Sequence, residues 1–296
     1  RRLPPPAMDL AQFLVQCLNA LQYGLLLFLV ASGLTLIFGI MGVINLAHGS
    51  FYMIGAYMAY SLAPLVGGNF AVTLLVGLVL AVAFGYVLEW LFISYLYERD
   101  HLQQVLMTYG LILVFEELRS ILVDNDVHGV PIPAWLAGSV QLGDLMQYPV
   151  YRLAISGVCL VVAALLYVVI GRTRLGMMVR AGSSNREMVQ ALGINIRFLY
   201  RVVFAGGVAL AALAGMISAP VSSVYPGMGA QVLIICFVVV VIGGIGSVRG
   251  AFLAALLVGI VDTFGKVRFP RAAGIAVYLL MAAILLWKPE GLFRQG

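Results

Sequence analysis

"FLVQCLNALQYGLLLFLVASGLTLIF", residues 13–38, runs for 26 residues without one charged side chain. Crossing the roughly 30 Å of hydrocarbon in a bilayer takes about 20 residues of α-helix. This stretch is long enough to span a membrane with residues to spare. Further apolar runs follow at 46–64, 70–93, 105–123, 151–170, 199–221, 230–246, 250–264 and 272–287. Charged residues make up 10% of the 296 and hydrophobic residues 63%, with a mean hydropathy of +1.06. Soluble domains carry about a quarter charged residues. The sequence predicts an all-α fold, a polytopic membrane helical bundle of about eight or nine transmembrane segments, forming a single transmembrane domain over 1–296. The first run is overlong and those flanking 246–250 are short, which leaves the count at eight or nine.

Cys17, Cys159 and Cys236 all lie in apolar runs without metal-ligand spacing and read as small buried hydrophobes. The proline-rich Arg1–Ala7 precedes Met8, which reads as a natural start. It does not read as a signal peptide, because the apolar segment behind it is too long.

A net charge of +5 would suit nucleic acid, but the basic residues are scattered among the spans except in one place. Between Gly171 and Arg201 stand Arg172, Arg174, Arg180, Arg186, Arg197 and Arg201, six of the 17 basic residues, against a single acid, Glu187. By the positive-inside rule the loop 172–198 is cytoplasmic. Walking outward from it places 94–104, 246–250 and the C-terminus from Lys288 inside, with ten basic residues including Arg99, Arg249 and Arg294. The outside segments hold six: Arg1, Arg2, Arg152, Lys266, Arg268 and Arg271. Between spans four and five lies an external loop, 124–150, opening with "DNDVHGVPIPAWLAGSVQLGDLMQYP". It carries Asp124, Asp126 and Asp144 but no Lys or Arg, and is apolar enough to fold back over the membrane surface, with Trp135 in the aromatic belt.

"GGIGSVRGAF" (243–252) lacks the lysine and serine or threonine of a phosphate-binding loop and reads as a tight turn between two spans. Nothing else suggests an ATP site, and no catalytic or metal-ligand cluster is present. Gly207, Ala211 and Gly215 recur every fourth residue, a small-residue stripe where another helix can approach closely. It fits a packed bundle or a dimer seam. "FGIMGVINLAHGSFYMIGAYMAY" and "IGGIGSVRGAFLAALLVGI" echo each other as run, glycine-broken turn and run. Such echoes point to a transport pathway or arise by chance in a chain with 33 Gly.

Ionisable residues inside a bilayer are functional candidates by default. Glu116 and Glu117 near Arg119, Asp262 and Glu89 all sit towards span ends, where helix-turn ion pairs and snorkelling account for them. No chain of acids reads as a proton relay. Asn45 and His48 beside Gly49, and Asn19, Gln22 and Tyr23 in the first span, are neutral hydrogen-bonding groups of the kind that lines a passage for a polar solute. Asn45 and His48 equally suit capping of backbone groups freed at a helix break.

The cytoplasmic loop contains "RAGSSNREMVQALGINIRFLYR" (180–201). Ser184 and Glu187 have capping-box spacing, and Gly193 stands where a helix would end in the left-handed conformation. The pattern predicts a short helix over 185–192, with an apolar face of Met188, Val189 and Leu192, and with Asn195 capping the next span. Eight residues are too few to be helical alone. That face is covered either by the chain's own bundle or by a groove on a partner.

Glu187, Ala191 and Gly193 resemble the E-A-A-x-x-x-G cytoplasmic loop of ABC-importer permeases, although Met188 and Val189 replace the two alanines and no I-x-L-P tail follows. The closer resemblance is to the permeases of high-affinity branched-chain amino acid importers. It rests on "GIMGVINLAHGSFYMIGAYMAY", "GRTRLGMMVRAGSSNREMVQALGIN", "VVVIGGIGSVRGAFLAALLVGIVD" and "KPEGLF", and runs from about Leu10 to Phe293. Where that family often has an Arg-Pro pair after the glutamate of its third span, Ser94-Tyr95 stands here.

The resemblance implies a multi-pass permease of a bacterial inner membrane, a transport subunit rather than an enzyme. Its implied partners are a second permease chain, identical or homologous, two cytoplasmic ATPase subunits carrying ATP and Mg, and a periplasmic solute-binding protein. It needs no cofactor of its own. On this reading Ser184, Arg186, Glu187, Met188, Val189, Ala191, Leu192 and Gly193 are the ATPase-coupling residues. The expected solutes are branched-chain or other hydrophobic amino acids. The alternatives are the same architecture importing urea, short amides or aromatic carboxylates, or an autonomous channel or carrier.

Overall fold

The computed structural model describes residues 9–142, 146–270 and 273–293. Arg1, Arg2, Met8, Asp144, Arg271 and Arg294 lie outside these. The described chain is a helical bundle: α1 (Leu10–Met41), α2 (His48–Leu65), α3 (Phe70–Leu91), α4 (His101–Val123), α5 (Val150–Arg172), α6 (Arg174–Ser184), α7 (Arg186–Ala191), α8 (Ile196–Ser222), α9 (Met228–Gly243), α10 (Val248–Arg268) and α11 (Ala273–Trp287). Among them α1, α3, α5, α8 and α10 are long and apolar enough to cross a membrane, and α9 and α11 are shorter apolar helices. The protein is a multi-pass helical membrane bundle.

Polar residues just ahead of the apolar runs start several of these helices. The side-chain oxygens of Asn69, Asn195 and Ser247 accept from the amides of Val72, Phe198 and Gly250 at 3.1–3.3 Å. Each satisfies a backbone donor that the helix itself leaves unpaired. The first helix is 32 residues long, about 48 Å at about 1.5 Å per residue. It ends at Gly42, in the left-handed conformation.

The long helices α1 and α8 form the centre and are buried along most of their length. Around them α10, α5 and α9 pack on α1, and α2 and α3 pack on α8. The small-residue stripe is used here, inside the chain. A Cβ on Gly207 would come within 2.7 Å of Ile37 Cδ1 and 3.0 Å of the Gly33 carbonyl oxygen on α1. One on Gly215 would meet the Tyr52 carbonyl oxygen of α2 and lie 2.9 Å from the Ala56 amide nitrogen. Ala211 between them is fully buried. Helices α2 and α9 begin against each other, and a Cβ on Gly229 would sit 2.7 Å from the Gly49 carbonyl oxygen. The outer helices α3 and α5 turn most of their apolar side chains outward, as lipid-facing helices do.

Two elements differ from the sequence reading. The segment between α4 and α5 contains a hairpin, β1 (Ser139–Leu142) paired antiparallel with β2 (Met146–Pro149). A bridge between His128 and Val224 pins the same segment to the turn after α8. Ahead of the predicted cytoplasmic helix there is another, α6, capped by the Thr173 hydroxyl accepting from the Gly176 amide at 3.2 Å.

Candidate functional site: a short capped helix and two polar clusters

The short helix predicted over 185–192 is present as α7, starting one residue later than predicted and ending one earlier. Ser184 is the last residue of α6, and Asn185 is the cap: its backbone is extended, and its Oδ1 accepts from the Met188 amide at 2.9 Å. Asparagine caps as well as serine, and α6 runs on through Ser184. The Ser184–Glu187 capping box therefore does not form. Glu187 lies in the first turn of α7, where a negative charge suits the helix dipole.

At the other end Gly193 has φ +81°, the left-handed conformation expected of it. The Gly193 amide bonds the Gln190 carbonyl at 2.9 Å and the Ile194 amide bonds the Val189 carbonyl at 3.3 Å. This is the paired C-terminal closure in which glycine is favoured. A helix of six residues thus has both ends tied off.

The three apolar residues divide. Val189 is 3% exposed and packs into the chain's own core, while Met188 and Leu192 are 58% and 72% exposed. Burying one valine contributes about 1.5–3 kcal/mol, enough to seat α7 on the bundle. Met188 and Leu192, four apart and on one helical face, point away from it. Ala191 is also exposed.

Arg186 connects α7 to the membrane helices. Its guanidinium lies over the rings of Tyr97 at 5.9 Å and Tyr200 at 5.5 Å. These rings meet edge to face at 4.9 Å. The Tyr97 hydroxyl donates to Glu89 Oε1, and Arg201 Nε donates to Glu89 Oε2 at 3.0 Å. Burial, then the hydrogen bond to Glu89 and its charge, hold the Tyr97 phenol above its ordinary range. It stays a donor. Glu89 is fully buried, tied to α8 and to the turn behind α3, rather than snorkelling from a span end.

Four of the predicted passage residues fall into two separate clusters, and Tyr23 joins neither. In the first, Asn19 Oδ1 accepts from the Tyr148 hydroxyl at 3.0 Å and from Arg152 Nη1 at 2.8 Å. Arg152 also reaches Gln22 Oε1 at 3.5 Å. Tyr23 faces the other way, under Lys266 at 5.3 Å, and Lys266 pairs with Asp262 at 2.5 Å. In the second cluster Asn45 and His48 are fully buried at the break between α1 and α2. Asn45 Oδ1 accepts from the Ala47 amide at 3.1 Å, and His48 Nε2 lies 2.9 Å from the Val30 carbonyl. Among the described residues, Asn45 Nδ2 and His48 Nδ1 find no hydrogen-bond partner.

Sequence reasoning missed Arg152 beside Asn19 and Gln22, and Tyr97, Tyr200 and Arg201 around Glu89 and Arg186. An arginine opening a span, and a carboxylate within one, were signals for Arg152 and Glu89. The tyrosines gave none. The Glu116–Arg119 pair expected from their spacing is present at 3.2 Å.

The family model described as branched-chain amino acid transport system / permease component matches residues 16–287. The chain is 30% identical to the high-affinity branched-chain amino acid transport system permease protein BraD of Pseudomonas aeruginosa, across 97% of each. It is 27% identical to the corresponding protein LivH of Escherichia coli, across 96% of each. It is 26% identical to the probable branched-chain amino acid transport permease protein LivH of Methanocaldococcus jannaschii, across 93% of this chain and 90% of that one. A solved structure, PsaBC from Streptococcus pneumoniae in complex with Fab, aligns with 91% of this chain at a TM-score of 0.48 and 15% identity.

Proposed function

The chain belongs to the branched-chain amino acid transport system permease family, and from that premise we propose that it is a membrane-spanning subunit of an ATP-driven ABC importer for branched-chain or other hydrophobic amino acids. The observation that carries this is the family match from residue 16 to 287, together with relatives similar over nearly their whole length. Nine helices, α1 to α5 and α8 to α11, make the crossings in a bacterial inner membrane. A second permease chain completes the passage, two cytoplasmic ATPases hydrolyse ATP with Mg, and a periplasmic binding protein delivers the solute.

Helix α7 is the coupling element. Its capped ends, with Val189 seated in the bundle and Met188 and Leu192 facing out, support that role. The exposed pair inserts in a groove on an ATPase, as apolar helix faces do in helix-in-groove recognition. Cysteine at position 192 should be protected from an aqueous thiol reagent when the ATPases are bound and react when they are absent. Equal reactivity in both states contradicts this docking.

The passage runs past Asn19 and Gln22 and is closed at Asn45 and His48 in this conformation. The two unpartnered nitrogens at the second cluster support a change of partners there. With Cys17, Cys159 and Cys236 replaced, cysteine at position 45 or 48 should react from the cytoplasmic side in one nucleotide state and not in another. Protection in every state leaves these residues as caps of the helix break. The solute itself is tested by a binding screen of the cognate periplasmic protein: binding of urea, amides or aromatic acids in place of branched-chain amino acids overturns the assignment.

A further inference from the structure

The buried carboxylate of Glu89 belongs to none of the roles above. It sits on α3, yet its two oxygens are held by groups from two other parts of the chain, Arg201 of α8 and Tyr97 of the turn between α3 and α4. Arg186 of α7 in turn lies on Tyr97 and on Tyr200 of α8. The contacts form one continuous set from the cytoplasmic helix to two membrane helices. Arg201 extends it by lying over the ring of Tyr86, also on α3, at 5.8 Å.

Stability alone is a weak reason for such a set. A buried ion pair loses in desolvation much of what it gains in attraction, and apolar residues of the same shape often serve as well. What a charged, hydrogen-bonded pair supplies over an apolar contact is direction: each donor has one place to be. Beyond these contacts, Val189 is the residue of α7 that the bundle buries.

We propose that Glu89 is a positioning residue that locks α7 to α3 and α8, so that displacement of α7 by the ATPases reaches the membrane helices as one rigid-body movement. This rests on the reading of α7 as the coupling element. It adds that force travels by Arg186, Tyr97 and Tyr200 to Glu89 and Arg201.

The test uses the full importer, with its ATPases and binding protein, in liposomes. The quantity read is solute imported per ATP hydrolysed, in complexes first shown to retain the ATPases. Tyr97→Phe keeps the ring against Tyr200 and Arg186 and removes only the hydroxyl that Glu89 accepts. Its transport-to-hydrolysis ratio should fall about threefold or more, within the range for residues along a coupling network. Arg186→Gln should lower the ratio as well. The double variant should be little worse than the more impaired single one, because both interrupt one route. Tyr95→Phe, on the same turn but exposed, should leave the ratio unchanged.

Loss of assembled complex at a constant ratio marks a purely structural role and overturns the proposal. So does an unchanged ratio in Tyr97→Phe, or additive losses in the double variant. Should Glu89→Gln fail to insert, Tyr97→Phe still decides the matter. A wild-type complex that hydrolyses ATP and transports nothing refutes the importer reading instead, so the two failures are distinct.

Discussion

Gly193→Ala isolates the closure at the end of α7. A Cβ at this position would meet nothing within 4 Å, so packing does not resist the substitution. The backbone does: at φ +81° an L-residue is held in the left-handed region, at about 1–2 kcal/mol. With about 1.4 kcal/mol to each factor of ten, opening of the last turn of α7 should rise about 5- to 30-fold. Gly206→Ala is the matched control. It too meets nothing within 4 Å, but lies inside α8, where alanine is favoured over glycine by about 1 kcal/mol. Hydrogen exchange followed by mass spectrometry, on the permease in nanodiscs, reads the amides of residues 193 and 194 that bond Gln190 and Val189. Their exchange should accelerate in Gly193→Ala and stay unchanged in Gly206→Ala. Unchanged exchange in the first variant, or equal acceleration in both, refutes the argument that the left-handed glycine holds this helix end.

Asn185→Ala should destabilise α7 by about 0.5–2 kcal/mol through loss of its cap, and Ser184→Ala should change it by less than about 0.5 kcal/mol; exchange at Met188 distinguishes them. Val189→Ala, at a buried position, should loosen α7 by about 1–2 kcal/mol, whereas Leu192→Ala should leave the permease as stable as before but weaken co-purification of the ATPases. Gly215→Val should lower the thermal unfolding midpoint and the yield of folded protein, since its side chain has no room against Tyr52 and Ala56; an unchanged midpoint would show that α2 and α8 do not cross as described.

Much of the fold was legible because lipid imposes one rule on every span, about 20 apolar residues closed on themselves as helix. The runs at 70–93, 151–170 and 199–221 became α3, α5 and α8 with shifts of a few residues. The hairpin at 139–149 was not legible. Its strands have four residues each and are held by pairing and by the Tyr148 contact to α1, neither visible in local composition. Helix α7 could be read from Gly193, since few residues tolerate a positive φ. Its N-cap could not be placed to the residue, because Ser184 and Asn185 are adjacent and both cap well. The division of Met188, Val189 and Leu192 into two outward residues and one inward was also hidden. Periodicity shows that an apolar face exists, and only the bundle beneath shows which part it covers. The partner of Glu89 was hidden because position along a span shows depth, whereas Arg201 lies 112 residues away.

Reconstitution tests directly whether this chain is the permease of an ATP-driven importer. Liposomes are prepared with the permease alone, with the ATPases added, and with the binding protein and branched-chain amino acid supplied as well, and uptake is followed with and without ATP. Uptake is expected only when ATPases, binding protein and ATP are all present. Uptake by the permease chain in the absence of ATPases and binding protein would contradict this reading.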